Sequence, residues 1–467
     1  MTTVADQPAA VPRDEARSAA PRLRCISCGA EYSIREVVYH CRRCGDLLDV
    51  VYDYPAFQSD QLKQRWLQRR TSLLPIDQSG VWRYRELLPF LDDEANVVTF
   101  PEGNTPLLEA PRSAAHGGVR RLQFKYLGAN PTGSFKDYGM TAGVSQARSL
   151  GMQAVACAST GNTSASLAAY AARAGMLAIV LIPEGQVSWG KLSQALDYGA
   201  LTLQLRGDFD AAQALLLEIA QDLGIYVLNS VNPFRLEGQK TVMIEMLEQR
   251  DWRVPDRIIV PAGNLGNGSS YGKCLRELYD LGFIDRMPHL TLVQAHGAAP
   301  LYHTITSGDP DTLVRVHART LATAIKIGSP VSWRKAKRAL EWTDGWVTEV
   351  GEQEIADAKA IIGRDGIGCE PASATTLAGL RRLVREGTDA SVAPDEEVVA
   401  ILTGNVLKDP DYTIRYHTGE LYEEFVTETK VVRASGHLEP AFANPPVAVN
   451  ATREDLVRAI SERLPRP

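Results

Sequence analysis

Residues 119–297 alternate between short runs of apolar residues and longer segments in which apolar positions recur at helical spacing. A short unbroken apolar run is typical of a strand buried on both faces, and an amphipathic segment after it is typical of the helix that covers the strand. The predicted strands are 122–126, 154–158, 178–182, 201–205, 258–261 and 290–294. This alternation predicts an α/β protein with parallel sheets covered by helices on both faces.

Helical periodicity also accompanies and follows these strands. The predicted helices are 163–174, 210–223, 240–248, 332–340, 352–362, 372–385 and 453–463. A last strand is predicted at 397–402. We find no internal repeat, and we predict that 411–467 is a polar C-terminal extension whose role the sequence does not reveal.

Composition narrows the classes of function. The chain of 467 residues carries 50 Lys and Arg against 56 Asp and Glu, a net charge of −6, which argues against a general nucleic-acid or membrane-surface role. No apolar run approaches the length of a membrane span. Residues 1–22 lack the apolar core of a secretory signal, so we predict a disordered tail. The odd number of cysteines, 7, fits the reducing cytoplasm.

Four cysteines near the N-terminus form two C-x2-C pairs, and a glycine follows each pair; the cysteines are Cys25, Cys28, Cys41 and Cys44. The pairs are separated by enough residues for a short hairpin at about 31–40. Four thiolates at this spacing can surround one zinc ion tetrahedrally, and no open position is left for catalysis. We predict a zinc-ribbon-like segment at 23–50 with a structural zinc. The alternative is a set of reduced thiols without metal.

A lysine at the start of a predicted helix is the strongest candidate for chemistry. The octapeptide Asn-Pro-Thr-Gly-Ser-Phe-Lys-Asp, residues 130–137, places Lys136 just after a strand, and Ser134 is predicted to cap the helix. The positive end of the helix dipole favours the neutral, nucleophilic amine. Such an amine suits Schiff-base chemistry with a carbonyl cofactor. Taken alone, the octapeptide also fits an ordinary lysine at a helix start.

Three further loops follow predicted strands, where ligands of doubly wound sheets bind. Residues 159–163 offer hydroxyls and a carboxamide, and the glycine-rich residues 263–268 suit a phosphate. Residues 402–405 supply the Thr403 hydroxyl, a partner for a ring nitrogen. The glycine-rich loop lacks the fingerprints of nucleotide-hydrolysing and dinucleotide-binding loops. A lysine for an aldehyde, an asparagine for a phenolic oxygen and a cradle for a phosphate together indicate pyridoxal phosphate.

The chain resembles the threonine synthase family of pyridoxal-phosphate enzymes. The resemblance rests on the motifs at 102–107, 232–241, 370–374 and 402–405: Glu-Gly-Asn-Thr-Pro-Leu, Asn-Pro-Phe-Arg-Leu-Glu-Gly-Gln-Lys-Thr, Glu-Pro-Ala-Ser-Ala and Leu-Thr-Gly-Asn. It implies two doubly wound α/β domains of the fold type II (tryptophan synthase β-like) architecture over 51–410. The smaller of these is expected at roughly 140–240. The resemblance also implies a homodimer, and the N-terminal zinc ribbon occurs in some members.

The resemblance further implies site roles and a substrate, O-phospho-L-homoserine. Lys136 is expected to be the Schiff-base lysine and the acid–base group, Asn162 the partner of the cofactor's 3′-oxygen, and Thr403 the partner of its pyridine nitrogen. A neutral hydroxyl at that nitrogen suits elimination more than amino transfer. The expected cofactor-phosphate loop comprises Gly263, Asn264, Leu265, Gly266 and Asn267. The expected substrate contacts are Thr160, Thr163, Asn229, Ser230 and Arg235.

Two other functions remain open from the sequence. A replacement reaction on O-phosphoserine, similar to that of cysteate synthase, would keep every cofactor residue and differ in substrate length. A zinc-ribbon binding module on an inactive scaffold would use the basic residues of the ribbon: Arg22, Arg24, Arg42 and Arg43. No aromatic stacking platform accompanies these arginines, which argues against nucleic acid as the ligand.

Overall fold

The computed structural model describes residues 20–184, 189–206, 215–216, 218–220, 222–386, 391–427 and 430–464. Most of the predicted tail, 1–22, and much of the predicted helix 210–223 lie outside these residues. Within them the chain forms sheets of three, six, four and two strands, in the orders β2-β1-β3, β12-β11-β10-β13-β5-β4, β8-β7-β6-β9 and β14-β15, with the bounds that follow.

The strands are β1 (Arg22–Cys25), β2 (Glu31–Ser33), β3 (Leu48–Val51), β4 (Leu107–Glu109), β5 (Arg121–Tyr126), β6 (Ala154–Ala158), β7 (Leu177–Pro183), β8 (Leu201–Leu205), β9 (Ile225–Val227), β10 (Arg257–Pro261), β11 (His289–Ala295), β12 (Trp346–Val350), β13 (Glu397–Leu402), β14 (Tyr422–Thr427) and β15 (Lys430–His437). The helices are α1 (Ser59–Arg69), α2 (Pro75–Gln78), α3 (Pro111–Gly117), α4 (Lys136–Ser149), α5 (Asn162–Ala174), α6 (Trp189–Asp197), α7 (Pro233–Gln249), α8 (Gly266–Asp280), α9 (Pro300–Thr306), α10 (Trp333–Trp342), α11 (Glu352–Arg364), α12 (Pro371–Glu386), α13 (Pro410–Thr418) and α14 (Arg453–Ser461).

The two large sheets have the parallel order that the apolar runs predicted. β12, β11, β10, β13 and β5 run parallel in the six-stranded sheet, and β4 adds an antiparallel edge. All pairs in the four-stranded sheet are parallel. Most strands of the two sheets are buried, whereas β8, at one edge of the four-stranded sheet, is largely exposed. Strands and helices alternate along the chain in both sheets, as expected for doubly wound α/β layers. The carboxyl ends of β5, β6, β10 and β13 lead into the four loops singled out in the sequence.

Close packing of α4 against α7 brings the starts of these two helices together. A Cβ atom on Gly238 of α7 would lie 1.9 Å from the backbone oxygen of Tyr138 on α4. A Cβ on Gly143 of α4 would lie 3.2 Å from Cγ of Arg235. Because glycine has no side chain, the helices approach closely enough for Arg235 to lie beside the first turns of α4.

Several expectations were wrong or incomplete. Phe135, and not Ser134, occupies the N-cap position of α4 and makes no side-chain cap bond, although Ser134 Oγ accepts from the Lys136 N–H at 3.4 Å. The helix predicted at 240–248 begins earlier, because Asn232 caps it by accepting from the Phe234 N–H at 3.0 Å and Pro233 fills the first helical position. The patterns missed β9, β12 and α1 altogether.

The C-terminal extension packs on the large sheet's helical layer. Tyr412, Tyr416, Leu421 and Leu438 are buried against Ala356 and other residues of α11. The helix predicted at 453–463 is present as α14. Among the described residues, none of the helices combines the length and the apolar character that crossing a membrane requires.

Candidate active site

Lys136 opens α4, and its loop is joined to the loop after β13. Ser134 and Gly404 form an antiparallel bridge between the two loops. The Phe135 N–H donates to the Thr403 oxygen at 2.9 Å, and the Asn405 N–H donates to the Gly133 oxygen at 2.9 Å. Since β5 and β13 are neighbours in the sheet, their following loops meet at its carboxyl edge. Lys136 and Thr403 are thereby held in one site.

Asp137, rather than Ser134, fixes the turn before Lys136. Its carboxylate accepts from the Thr132 N–H at 2.8 Å, from the Thr132 hydroxyl at 2.6 Å and from the Ser166 hydroxyl of α5 at 2.5 Å. Burial raises the pKa of Asp137 to about 6, and these hydrogen bonds oppose the rise. The lysine loop is therefore tied to the helix that begins at Asn162. Sequence reasoning gave Asp137 no role.

The amine of Lys136 is prepared for nucleophilic chemistry. Burial lowers the pKa of Lys136 to about 7, and the Arg235 guanidinium adds to this effect. Glu370 and Cys157 act in the opposite direction. A substantial fraction of the amine is consequently neutral near pH 7 (about half when the pKa equals the pH).

Arg235 is a buried cation without an acidic partner among the described residues. Its side chain donates from Nη1 to the Leu228 oxygen at 2.8 Å, and its Nε has no hydrogen-bond partner. Burial lowers the pKa of Arg235 to about 10. An unpaired buried guanidinium with a free donor suits an anionic ligand, because such a ligand supplies the missing charge and acceptor.

The glycine-rich loop has the geometry of an anion cradle. Leu265 adopts a left-handed conformation with φ of 65°, and α8 begins directly after it. The first helical bond runs from the Ser269 N–H to the Leu265 oxygen at 3.0 Å. The N–H groups of Gly266, Asn267 and Gly268 therefore precede the helix's own hydrogen bonds and point outward at its positive end.

Other groups of this loop are fixed by neighbours. Asn264 accepts from the Val331 N–H at 2.8 Å, so its side chain anchors the loop. A Cβ atom on Gly263 would lie 2.9 Å from Cα of Ile325, which leaves room only for glycine. The buried Asn267 Oδ1 has no hydrogen-bond partner. As a carboxamide oxygen, this atom can pair only with a hydrogen-bond donor, so the anion cradle rests on the backbone N–H groups.

Glu370 joins two of the predicted cofactor residues. Asn162 Nδ2 donates to Glu370 Oε2 at 2.9 Å, and Thr403 Oγ1 donates to Glu370 Oε1 at 2.9 Å. Burial raises the pKa of Glu370 against these two hydrogen bonds and the nearby lysines. The sequence showed Glu370 only as part of a motif. Its position directly before Pro371, at a helix start on the carboxyl edge of the sheet, was the signal for a site residue.

Some of the predicted substrate residues are exposed to solvent, and others already make hydrogen bonds within the protein. Thr160, Thr163 and Ser230 are partly exposed at the carboxyl edge of the four-stranded sheet. Asn229 instead pairs with the end of β6: its Oδ1 accepts from the Ala158 N–H at 3.0 Å and its Nδ2 donates to the Ala158 oxygen at 3.1 Å. Only one N–H of the Asn229 carboxamide remains for a ligand.

The four N-terminal cysteines lie together outside this site. The sulfur atoms of Cys25, Cys28, Cys41 and Cys44 all lie within 4.8 Å of one another. Tetrahedral coordination by zinc places sulfurs about 3.8 Å apart, so the cluster fits a zinc ion. Gly29 and Gly45 have φ of 70° and 77°, which lets the chain turn after each pair. The strands flank the cysteine pairs, whereas the sequence had suggested a hairpin between them.

Comparison with known proteins agrees with this geometry. Residues 98–404 match the family model described as pyridoxal-phosphate dependent enzyme. Threonine synthase of Methanocaldococcus jannaschii is 46% identical over 393 residues, which cover 84% of this chain and 94% of that protein. Threonine synthase of Methanosarcina acetivorans is 47% identical over 393 residues, or 84% and 93% of the two chains.

The chain belongs to the threonine synthase family. It is therefore a lyase that depends on pyridoxal phosphate. The lysine amine and the outward N–H groups of α8 fit this cofactor. The family model spans three loops of the site completely and reaches Gly404 in the fourth, so it includes Lys136, Asn162 and Thr403.

Solved structures show the same fold. Diaminopropionate ammonia lyase from Escherichia coli superposes with a TM-score of 0.57 at 16% identity, covering 77% of this chain and 93% of that chain. Threonine deaminase isoform 2 from Solanum lycopersicum gives a TM-score of 0.54 at 18% identity, covering 75% and 86%. At these identities the likeness concerns the fold type II architecture alone.

Proposed function

We propose that this chain converts O-phospho-L-homoserine and water to L-threonine and phosphate. The observation that carries the proposal is the unpaired, buried guanidinium of Arg235 beside an amine of lowered pKa, Lys136. A hydrogen-bond donor for an anionic group thus lies near a nucleophilic, basic nitrogen. A phosphorylated amino acid presents both the anion and the amine that such a site requires.

Each loop has a distinct role in the proposed site. Pyridoxal phosphate, when bound, supplies the carbonyl that attaches to amines and withdraws electrons from the substrate's Cα. Asn162 is proposed to hold the 3′-oxygen of the cofactor and Thr403 its ring nitrogen, while Gly263, Asn264, Leu265, Gly266 and Asn267 form the loop for its phosphate. Lys136 anchors the cofactor between turnovers. Once displaced by the substrate amine, Lys136 removes and returns protons at Cα.

Arg235 is proposed to hold the substrate phosphate. As the bond from Cγ to the phosphate oxygen breaks, negative charge grows on the phosphate, and charge-assisted hydrogen bonds from Arg235 strengthen. The hydroxyls of Thr160, Thr163 and Ser230, with the remaining N–H of Asn229, are proposed contacts for the substrate carboxylate and phosphate. A proton must also leave Cβ as the phosphate leaves Cγ. Cγ then gains a proton, water supplies the hydroxyl at Cβ and a proton returns to Cα, so the products are threonine and phosphate.

The ribbon is proposed to be a structural zinc site rather than a nucleic-acid module. Its basic residues are partly neutralised, since Arg22 pairs with Glu31 at 2.9 Å and with Asp53 at 2.7 Å. Arg42 pairs with Glu36 at 2.8 Å. We also propose a homodimer in the cytoplasm, where reduced thiols are available to bind zinc. Metal analysis and light scattering of the purified protein test these two points.

The experiment is turnover of O-phospho-L-homoserine by protein loaded with pyridoxal phosphate, with phosphate and amino-acid products measured together. Equal amounts of phosphate and threonine support the proposal. Phosphate release without threonine contradicts it. Turnover of O-phosphoserine in preference to O-phospho-L-homoserine would indicate the shorter substrate instead.

A further inference from the structure

A chain of hydrogen bonds ends on the hydroxyl of Thr403. Ser373 Oγ accepts from the Thr403 N–H at 2.8 Å and from the Gly404 N–H at 3.2 Å. A hydroxyl oxygen has two lone pairs and one proton, so both acceptor positions of Ser373 are filled. The proton of Ser373 is therefore directed to its remaining neighbour, Thr403 Oγ1, at 3.0 Å.

Thr403 has one proton and two places to donate it. Its first lone pair accepts from Ser373, and its own proton goes to Glu370 Oε1 at 2.9 Å. While Glu370 is ionised, Thr403 offers a further ligand only a lone pair. If Glu370 becomes neutral and donates to Thr403, the Thr403 proton becomes available to the ligand. The charge on Glu370 thus decides whether Thr403 accepts or donates.

We propose that Glu370 acts through Thr403 to set the protonation of the cofactor's pyridine nitrogen. The inference rests on the proposed placement of that nitrogen at Thr403. An ionised Glu370 favours a protonated ring nitrogen that donates to Thr403. A neutral Glu370 favours an unprotonated nitrogen that accepts from Thr403. Glu370 is a positioning residue in this account. The sequence suggested that the Thr403 hydroxyl is a neutral partner of the ring nitrogen, whereas here the charge of Glu370 acts on that nitrogen through the hydroxyl.

Burial and the neighbouring polar groups act in opposite directions on the charge of Glu370. Lys136 and Lys408 are the charged groups that face it, and the thiol of Cys369 is its titratable neighbour. The pKa of Glu370 is raised overall, because burial outweighs the lowering by Asn162, Thr403, Lys408 and the free amine of Lys136. A Cβ atom on Gly404 would lie 2.5 Å from the Glu370 carboxyl carbon, so the carboxyl group is held tightly against the Thr403 loop.

Glu370→Gln reverses the direction of the hydrogen bond between residue 370 and Thr403. Because Asn162 Nδ2 donates to residue 370, the glutamine oxygen faces Asn162 and its NH₂ group faces Thr403. Both lone pairs of Thr403 are then filled, and its proton can go only to the ring nitrogen. The variant keeps the size of the side chain and its hydrogen bonds while removing its charge.

The test follows the ring nitrogen directly. Wild type, Glu370→Gln, Thr403→Val and the double variant are loaded with pyridoxal phosphate labelled with ¹⁵N in the ring, and the ¹⁵N resonance is recorded against pH. We expect Glu370→Gln to shift the titration of the ring nitrogen to lower pH. In the Thr403→Val background the change at residue 370 should not alter the titration of the ring nitrogen. Thr403→Ser, which retains the hydroxyl, should restore the dependence on residue 370.

Three results would overturn the inference. They are equal titrations in wild type and Glu370→Gln, the same shift in the Thr403→Val background, or a wild-type nitrogen that is unprotonated at every pH at which the protein is folded. Glu370→Ala also removes the negative charge, so it should shift the titration in the same direction, and it replaces Glu370→Gln if the latter does not load. The readout needs bound cofactor but no turnover, so it stands even if O-phospho-L-homoserine is not the substrate.

Discussion

The buried guanidinium of Arg235 and the half-buried amine of Lys136 interact electrostatically, and no carboxylate among the described residues pairs with Arg235. Close packing at Gly238 brings their helices together, and the Arg235 charge disfavours the ammonium form of Lys136. One residue therefore serves two purposes. Arg235 is proposed to bind the substrate phosphate, and it keeps part of Lys136 neutral before substrate arrives.

This relationship predicts the pH dependence of cofactor loading. Only the neutral amine attacks a carbonyl, so the rate of attachment to the cofactor-free protein should rise with pH through about 7, the pKa of Lys136. Arg235→Met removes the repelling charge and should move this midpoint to higher pH. Arg235→Lys, the matched control, keeps a positive charge and should leave the midpoint closer to wild type. Stopped-flow absorbance measures the rate, and identical midpoints in all three proteins would contradict the electrostatic account.

Lys136→Ala should abolish covalent attachment of the cofactor and reduce turnover to background. Borohydride reduction followed by peptide mass spectrometry locates the attachment directly. Lys408→Met is the control, because Lys408 is the other lysine near Glu370 and should be dispensable for attachment. Modification of any lysine other than Lys136 in the wild type would refute the assignment.

A buried ion pair supports the loop at residues 102–107. Lys125 pairs with Glu245, both are fully buried, and Glu245 also accepts from the Asn104 N–H at 2.8 Å and the Thr105 N–H at 2.9 Å. Burial raises the pKa of Glu245, but the charge and hydrogen bond of Lys125, the Asn104 N–H and the charge of Arg83 together lower it overall.

Glu245→Ala should therefore lower the free energy of unfolding by about 3–5 kcal/mol, because it leaves Lys125 as an uncompensated buried charge. The double variant Lys125→Met/Glu245→Leu should lose less free energy of unfolding than the single variants Lys125→Met and Glu245→Leu lose in sum, since neither charge remains. Urea denaturation measures these differences. A loss below about 1 kcal/mol for Glu245→Ala would show that the pair is not essential to the fold.

The N-terminal segment that carries the four cysteines, residues 23–50, contacts both large sheets. Tyr39 OH accepts from the Val227 N–H of β9 at 2.7 Å, and Lys335 of α10 donates to the Leu48 oxygen of β3 at 2.7 Å. If zinc holds the ribbon together, a chelator should lower the thermal midpoint of the wild type. Cys41→Ser should start at the lower midpoint and respond little to the chelator. An unchanged wild-type midpoint after complete removal of metal would contradict a structural zinc.

The layered fold was predictable because buried parallel strands are nearly continuous apolar runs. All six strands predicted between residues 122 and 294 lie within one residue of their expected bounds. β9 was missed because it is short, Ile225–Val227, and it runs directly into the polar residues of a loop. The start of α7 was misplaced because Asn232 and Pro233 were interpreted as part of a motif, although an asparagine followed by proline is also typical of a helix start.

The site was predictable only in part. Lys136, Asn162 and Thr403 follow strands, so their loops could be assigned to one edge of the sheets. Glu370 and Asp137 could not be given roles, because their partners lie far away in sequence: Glu370 meets Asn162 and Thr403, and Asp137 meets Ser166. The pairing of Asn229 with Ala158 likewise depends on the neighbouring positions of β6 and β9.

The most direct test of the central claim is turnover of O-phospho-L-homoserine in ¹⁸O-labelled water by the loaded protein. Phosphate loss from Cγ followed by water addition at Cβ predicts threonine with one ¹⁸O in its hydroxyl, and an equal amount of phosphate without ¹⁸O. Homoserine as the product, with ¹⁸O in the phosphate, would show simple hydrolysis of the phosphate ester and would contradict the account.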